Sequence, residues 1–321
     1  MYDGSVRELV VLVLLVGCYD PSPLAGSPCS PSGGCPDTLV CTGGYCLLPG
    51  VGADAGDDAD GAPGDMMAMV DSPIPIGWST PVALAGVNSP SVESDPSFTA
   101  NGLELYFSSN RAGGAGNTDI WYTKRASIDA TWDPPQNVAA LSSAQAEESI
   151  EISADGTRIY FSSTRTGFGD IYTSTKVGVG WTPPVVVAGF DTAAAEGDIA
   201  VSPDELTAII AISAGGPSKL YIATRATTSA AFAPATLIDD INAGSTDPAA
   251  PSVTNGAAVI YFHGDSGPRN IYMAMKVGAG WSAPIPISEL NTQTRDAAPF
   301  VTQSNNRMMF ERDGQLYETS R

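Results

Sequence analysis

A single histidine, His263, occurs in the 321 residues, so neither a histidine-rich metal centre nor a pair of imidazole proton shuttles can be assembled. Basic residues are few. The chain has 15 Lys and Arg against 35 Asp and Glu, and its net charge of -20 repels phosphate backbones and anionic headgroups, which argues against a nucleic-acid partner. No cysteine follows Cys46, so disulfide or thiol chemistry is confined to the start of the chain. The apolar run Leu9 to Val16 falls short of the roughly 20 residues that a spanning helix needs. The glycine-rich stretch Ala112 to Gly116 has no Lys-Ser/Thr behind it and reads as a loop rather than a phosphate cradle.

What is present begins with an address. Arg7, the apolar run and then Gly17-Cys18 have the form of a signal peptide. The residues Leu15-Val16-Gly17-Cys18 resemble the lipobox of bacterial lipoprotein precursors. That resemblance implies a signal peptide over residues 1–17, cleavage before Cys18, and acylation of its sulfur. It further implies a cell-envelope location, held to the membrane by lipid and facing periplasm or exterior. Cys29, Cys35, Cys41 and Cys46 are interleaved with glycine and proline, which predicts a small module over residues 18–50 held by two disulfides. Three connectivities fit, and zinc ligation by the same thiols is the competing arrangement. Residues 51–76 carry no basic residue and little apolar side-chain area, which predicts a flexible acidic linker.

Residues 77–321 are governed by an internal repeat. Its second-strand position recurs at Tyr106, Tyr160, Ile209, Tyr261 and Met309, a period of about 50 residues. Each unit has an opening strand, a turn such as Asn101-Gly102 or Asp155-Gly156, a strand such as Leu105-Tyr106-Phe107, a third strand around Ile-Tyr, and a closing aromatic-Pro segment. Four strands per unit make a propeller blade. The fold class is therefore all-β: a five-bladed β-propeller with four-stranded antiparallel blades. The last unit stops without its aromatic-Pro segment, whereas Gly77-Trp78-Ser79-Thr80-Pro81 supplies one before the first unit. Residues 78–84 are thus expected to close the ring as the outermost strand of the fifth blade, beside residues 315–319. Trp132, Trp181 and Trp281 read as outer packing residues.

The units resemble the WD-like β-propeller repeats of the TolB C-terminal domain, most clearly at Ser153-Ala154-Asp155-Gly156, Tyr160-Phe161-Ser162-Ser163-Thr164-Arg165 and Gly169-Asp170-Ile171-Tyr172. The resemblance implies the fold and an envelope setting. Function has to be read from the site.

Acidic residues recur just before each expected opening strand: Glu93 and Asp95, Glu147 and Glu148, Glu196 and Asp198, then Asp247 and Asp296. Equivalent registers would bring them to one rim of the channel. Such a ring suits a hard cation such as calcium, a basic peptide or a hydroxyl-rich glycan. The expected function is a non-catalytic envelope module that recognises a protein, peptide or glycan at this rim. The rival is a glycoside hydrolase or lyase using channel carboxylates. No catalytic residue and no metal ligand is assigned, and no cofactor is firmly expected. His263 reads as a strand-end polar residue, and Arg111 and Arg165 are expected to pair with Asp119 and Asp170.

Overall fold

The computed structural model describes residues 40–42 and 45–47 by their backbone, and residues 77–321 apart from 191, 255–256 and 265–267. The chain divides into two units, Met1–Asp71 and Ser72–Arg321. In the first, Val40–Thr42 and Tyr45–Leu47 form an antiparallel hairpin that sets Cys41 opposite Cys46. The lipid attachment expected at Cys18, the disulfides among Cys29, Cys35, Cys41 and Cys46, and the linker over 51–76 lie outside the described residues or side chains. Among the described residues no helix is long and apolar enough to cross a membrane.

The second unit is a five-bladed β-propeller of antiparallel sheets. Its first blade is Glu93–Phe98, Glu104–Ser109, Asp119–Lys124 and Gln136–Asn137. The second is Glu147–Ile152, Arg158–Ser163, Asp170–Val177 and Val185–Val186, with Gly180–Trp181 folded back on the third strand. Ala195–Val201, Thr207–Ser213, Lys219–Thr224 and Thr236–Leu237 make the third. The fourth is Ala249–Val253, Val259–Gly264, Asn270–Val277 and Ile285–Pro286, again with a short fold-back at Gly280–Trp281. The fifth takes Asp296–Val301, Arg307–Arg312 and Gln315–Ser320 from the C-terminus and Val82–Ala83 from before the first blade.

The first hairpin turn of each blade needs one residue at positive φ. Gly102 and Gly156 supply it in the first two blades at 68° and 71°. Glu205, Ala257 and Asn305 hold the same place at 56°, 50° and 57°, so the turn persists where the Asn-Gly or Asp-Gly spelling does not.

Five apolar clusters form the core, one between each pair of neighbouring blades. Tyr106, Ile120, Ile159 and Phe161 pack between the first two blades, and Tyr160, Ile199 and Ile210 between the next. The fifth-to-first interface joins Leu84, Met309 and Leu316 to Phe98, Leu105, Phe107 and Trp132. Each cluster buries the facing apolar surfaces of two blades, which is the physical reason for a ring.

Around the outside, a cation at the end of each third strand lies over the aromatic of the following segment. Arg125 sits 4.2 Å from the Trp132 ring centroid, Lys176 5.9 Å from Trp181, Arg225 4.4 Å from Phe232, and Lys276 4.7 Å from Trp281. The fifth pair is Arg321 over Trp78 at 4.4 Å, built from the two ends of the propeller. Tyr317 pairs with Ala83 and Glu318 with Val82, while Ser79 N donates to Ser320 O at 2.8 Å. The N-terminal strand therefore closes the fifth blade.

Below the channel mouth, inner strands are stitched to the next blade. Ser97 Oγ accepts the Ile152 amide at 2.8 Å, and Ser252 Oγ accepts Val301 N at 3.0 Å. Glu151 takes this role toward the Val201 amide, and burial raises its pKa well above 4.5. The folded state therefore binds this proton more tightly than the unfolded chain, and stability falls as pH rises from 4.5 toward the raised value. Glu151→Gln is expected to leave the thermal midpoint near pH 4.5 unchanged and to flatten its decline toward pH 8. An unaltered pH profile in differential scanning calorimetry would contradict this assignment.

Candidate functional site

The opening strands line the axis, each contacting its counterparts in the two adjacent blades. Every one is irregular at the same place: between Ser94 and Ser97, Glu148 and Glu151, Glu196 and Asp198, Ala249 and Ser252, and Ala297 and Phe300. Asp95, Ser149, Ala250 and Ala298 sit there at φ of 49°, 54°, 46° and 47°, which for a non-glycine residue costs about 1 kcal/mol or more. A bulge interrupts the alternation of a strand and re-aims the side chain beside it. Two successive residues of a strand can then face the axis, as Ser94 and Asp95 do.

The result is a polar funnel of about 410 Å³. Asp95, Glu148 and Asp198 enter it from the first three blades, Asp247, His263 and Arg269 from the fourth, and Arg295 from the fifth. Three of the four carboxylates thus come from the first three blades, and both arginines from the last two, where Asp247 stands with them. Ser108 Oγ donates to Asp95 Oδ2 at 2.7 Å, and the Ser218 amide to Asp247 Oδ1 at 2.8 Å. Arg269 lies 3.9 Å from Asp247, a loose pair, whereas Arg295 is held by the buried Glu311. Ser94 Oγ and Gly314 N also donate to Glu311, at 3.2 and 3.0 Å.

Enclosure and mutual repulsion separate these groups. The funnel walls push Glu148 up to about 7, with the charges of Asp95 and Asp198 adding and Arg295 opposing. Asp198 is pushed up to about 6, first by enclosure and then by Asp95, against hydrogen bonds from Ala250 N and the Ser149 hydroxyl. His263 is buried and held well below its usual range, by burial first and then by Arg269 and Arg295, so its imidazole is neutral. Its Nδ1 accepts the Ala298 amide at 3.2 Å. The proton therefore sits on Nε2, which is buried with no hydrogen-bond partner.

The predicted rim residues separate into two groups. Asp95, Glu148, Asp198 and Asp247 line the funnel. Glu93, Glu196 and Asp296 do not; they are fully buried and, with Glu147, fasten the loop that precedes their own strand. Glu93 accepts Ser89 N at 2.9 Å and Ser89 Oγ at 2.6 Å, Glu147 accepts Ser143 N at 2.8 Å, and Asp296 accepts Thr292 N and Oγ1 at 2.7 Å. Arg111 pairs with Glu93 at 2.8 Å and Arg165 with Glu147 at 3.0 Å, not with Asp119 and Asp170. Asp119 and Asp170 are taken up within their own loops instead, Asp119 accepting Gly116 N at 3.1 Å and Asp170 the Thr166 hydroxyl. Arg269, Arg295 and the orphaned Nε2 of His263 were not foreseen, since nothing local in the sequence places them at the axis.

Among the described residues no group of three or more His, Cys, Asp or Glu side chains is arranged to hold a metal ion. The arrangement offers carboxylate acceptors from four blades and guanidinium donors from two.

No family model and no curated protein matches the chain in sequence. Solved structures resemble it in fold. A GH62 hydrolase in complex with xylotriose is 12% identical with a TM-score of 0.52, covering 76% of this chain and 97% of that one. An alpha-L-arabinofuranosidase of Podospora anserina in complex with cellotriose is 13% identical with a TM-score of 0.50, covering 76% and 96%. A putative TolB of Agrobacterium tumefaciens is 16% identical with a TM-score of 0.47, covering 70% and 71%. At such identities the likeness is one of fold, and the relation to TolB-like propellers is of that kind.

Proposed function

We propose that this chain is a non-catalytic binding lipoprotein of the bacterial envelope, whose funnel recognises a hydroxyl-rich glycan. The observation that carries the reading is the split funnel: the carboxylates of Asp95, Glu148 and Asp198 enter it from three blades, and the guanidinium groups of Arg269 and Arg295 from the other two. A sugar hydroxyl both donates and accepts, so neighbouring hydroxyls can bridge such groups with charge-assisted hydrogen bonds. The envelope setting rests on Leu15-Val16-Gly17-Cys18 behind the apolar run, and on the four cysteines that follow in an exported segment. Intact mass of membrane-extracted protein tests it: a lipid-modified chain beginning at Cys18 supports the anchor, and an unmodified Cys18 refutes it.

Glycan binding should strengthen as pH rises through about 7, where Glu148 gains its charge and becomes a better acceptor for hydroxyl protons. Glycan-array screening followed by calorimetry at pH 5.5, 7 and 8.5 checks this, and Glu148→Gln should remove most of the pH dependence. Absence of any glycan ligand would sink the reading.

Glycoside hydrolysis is a second reading, supported by one observation. Glu148 titrates near neutrality beside Asp95 and Asp198, and a two-carboxylate mechanism needs one carboxyl protonated at working pH. Release of reducing sugar that Glu148→Gln abolishes would favour the enzyme over the binding module.

A further inference from the structure

A loop clamp recurs in three of the blades, and the third blade carries only part of it. In the first blade Arg111 binds Glu93, donates to Val87 O at 2.7 Å, and lies 4.9 Å from Phe107 and 5.2 Å from Trp121. Arg165 repeats this in the second blade with Glu147, Leu141 O at 2.7 Å, Phe161 and Tyr172. Arg312 does so in the fifth with Asp296, Leu290 O at 2.6 Å, Phe310 and Tyr317. Each guanidinium is therefore held by a buried carboxylate, a loop carbonyl and an aromatic face.

The third blade has the carboxylate without the cation. Strand register sets Glu196 opposite Ile212, as Glu93 is opposite Ser109, so Ala214 occupies the place of Arg111. Glu196 is fully buried, and Thr192 Oγ1 donates to its Oε1. Its Oε2 is buried and has no hydrogen-bond partner. Where the guanidinium lies in the other blades there is a cavity of about 520 Å³ lined by Glu196, Ala214, Phe190, Tyr221 and Phe232. Tyr221 corresponds to Trp121 and Tyr172, and Phe190 to Val87 and Leu141. The Phe190 carbonyl already accepts Thr192 N at 3.1 Å and keeps a second lone pair.

We propose that this cavity binds the guanidinium group of a ligand, seated as the protein's own arginines are seated in three other blades. The buried carboxylate would accept two N–H bonds, the Phe190 carbonyl another, and the Tyr221 ring would face the cation. A lysine ammonium matches less well, because it lacks the planar fork that spans carboxylate and carbonyl together. The site lies apart from the funnel and shares no lining residue with it.

The test is calorimetric titration of the full-length chain with N-acetyl-arginine amide, N-acetyl-lysine amide and free arginine. The arginine amide should bind saturably and at least tenfold tighter than the lysine amide. Ala214→Arg, which supplies the guanidinium from within, should reduce that affinity at least tenfold and raise the thermal midpoint. Glu196→Gln should weaken binding comparably, whereas Glu148→Gln in the funnel should leave it unchanged. Tighter binding of the amide than of free arginine identifies a peptide side chain as the source, and equal binding identifies a free guanidinium compound. Absence of saturable binding, binding untouched by Ala214→Arg, or loss on Glu148→Gln alone would overturn the proposal.

Discussion

Trp78→Ala should destabilise the propeller by about 3–5 kcal/mol, the usual loss for a buried tryptophan. For a domain of this size that corresponds to a thermal midpoint lowered by roughly 10 °C. Trp78 lies outside the repeated units yet packs with Tyr261, Ile271, Met308 and Phe310 between the last two blades, under Arg321. Deleting residues 77–84 should cost more. It removes this ring, the Leu84 amide bond to Leu316 O at 2.9 Å, and Leu84 from the fifth-to-first interface. It also bares the edge of Gln315–Ser320 to solvent and to other chains. Hydrogen exchange at Leu316 and Tyr317 should accelerate in the deletion variant. Full protection there would mean that the ring closes without its N-terminal strand.

Arg165→Ala should cost about 3–5 kcal/mol in chemical denaturation, because it strands Glu147, whose side chain is 0% exposed, without its cation. Most of that loss is the cost of an uncompensated buried charge rather than the worth of the pair. Glu147→Gln combined with Arg165→Met, which removes both charges, should therefore recover much of the stability. If the double variant were as unstable as Arg165→Ala, the packing of Arg165 on Phe161 and Tyr172 would be the dominant contribution instead. The third blade tolerates Glu196 without an arginine, and burial accordingly raises the pKa of that carboxyl.

Blade number, strand order and ring closure were legible because each depends on local pattern repeated in tandem. Asn101-Gly102 and Asp155-Gly156 mark turns, Tyr106-Phe107 and Tyr160-Phe161 mark buried strands, and the surplus Trp78 segment matches the deficit after Tyr317. The clamp was legible as well, although it was read as a rim. Glu93, Glu147, Glu196 and Asp296 each follow a Ser or Thr four residues earlier, at Ser89, Ser143, Thr192 and Thr292. A carboxylate recurring in step with such a hydroxyl in four of the five blades is a structural component. Asp95 and Asp198 stand two residues beyond that carboxylate and Glu148 one, and these acids meet in the funnel with Asp247.

The sequence by itself determined the repeat, hence the apolar blade faces and the closed ring that buries them. Only the tertiary structure decided which polar groups share a space. Bulges at Asp95, Ser149, Ala250 and Ala298 shift strand phase by an amount that alternation does not encode, and the ring then joins residues from five separate blades. Arg269 and Arg295 share a space with the carboxylates of the first three blades only through that closure. The pKa values of Glu148 and Asp198 belong to the same level, since they arise from enclosure and neighbouring charge that no single segment of chain possesses.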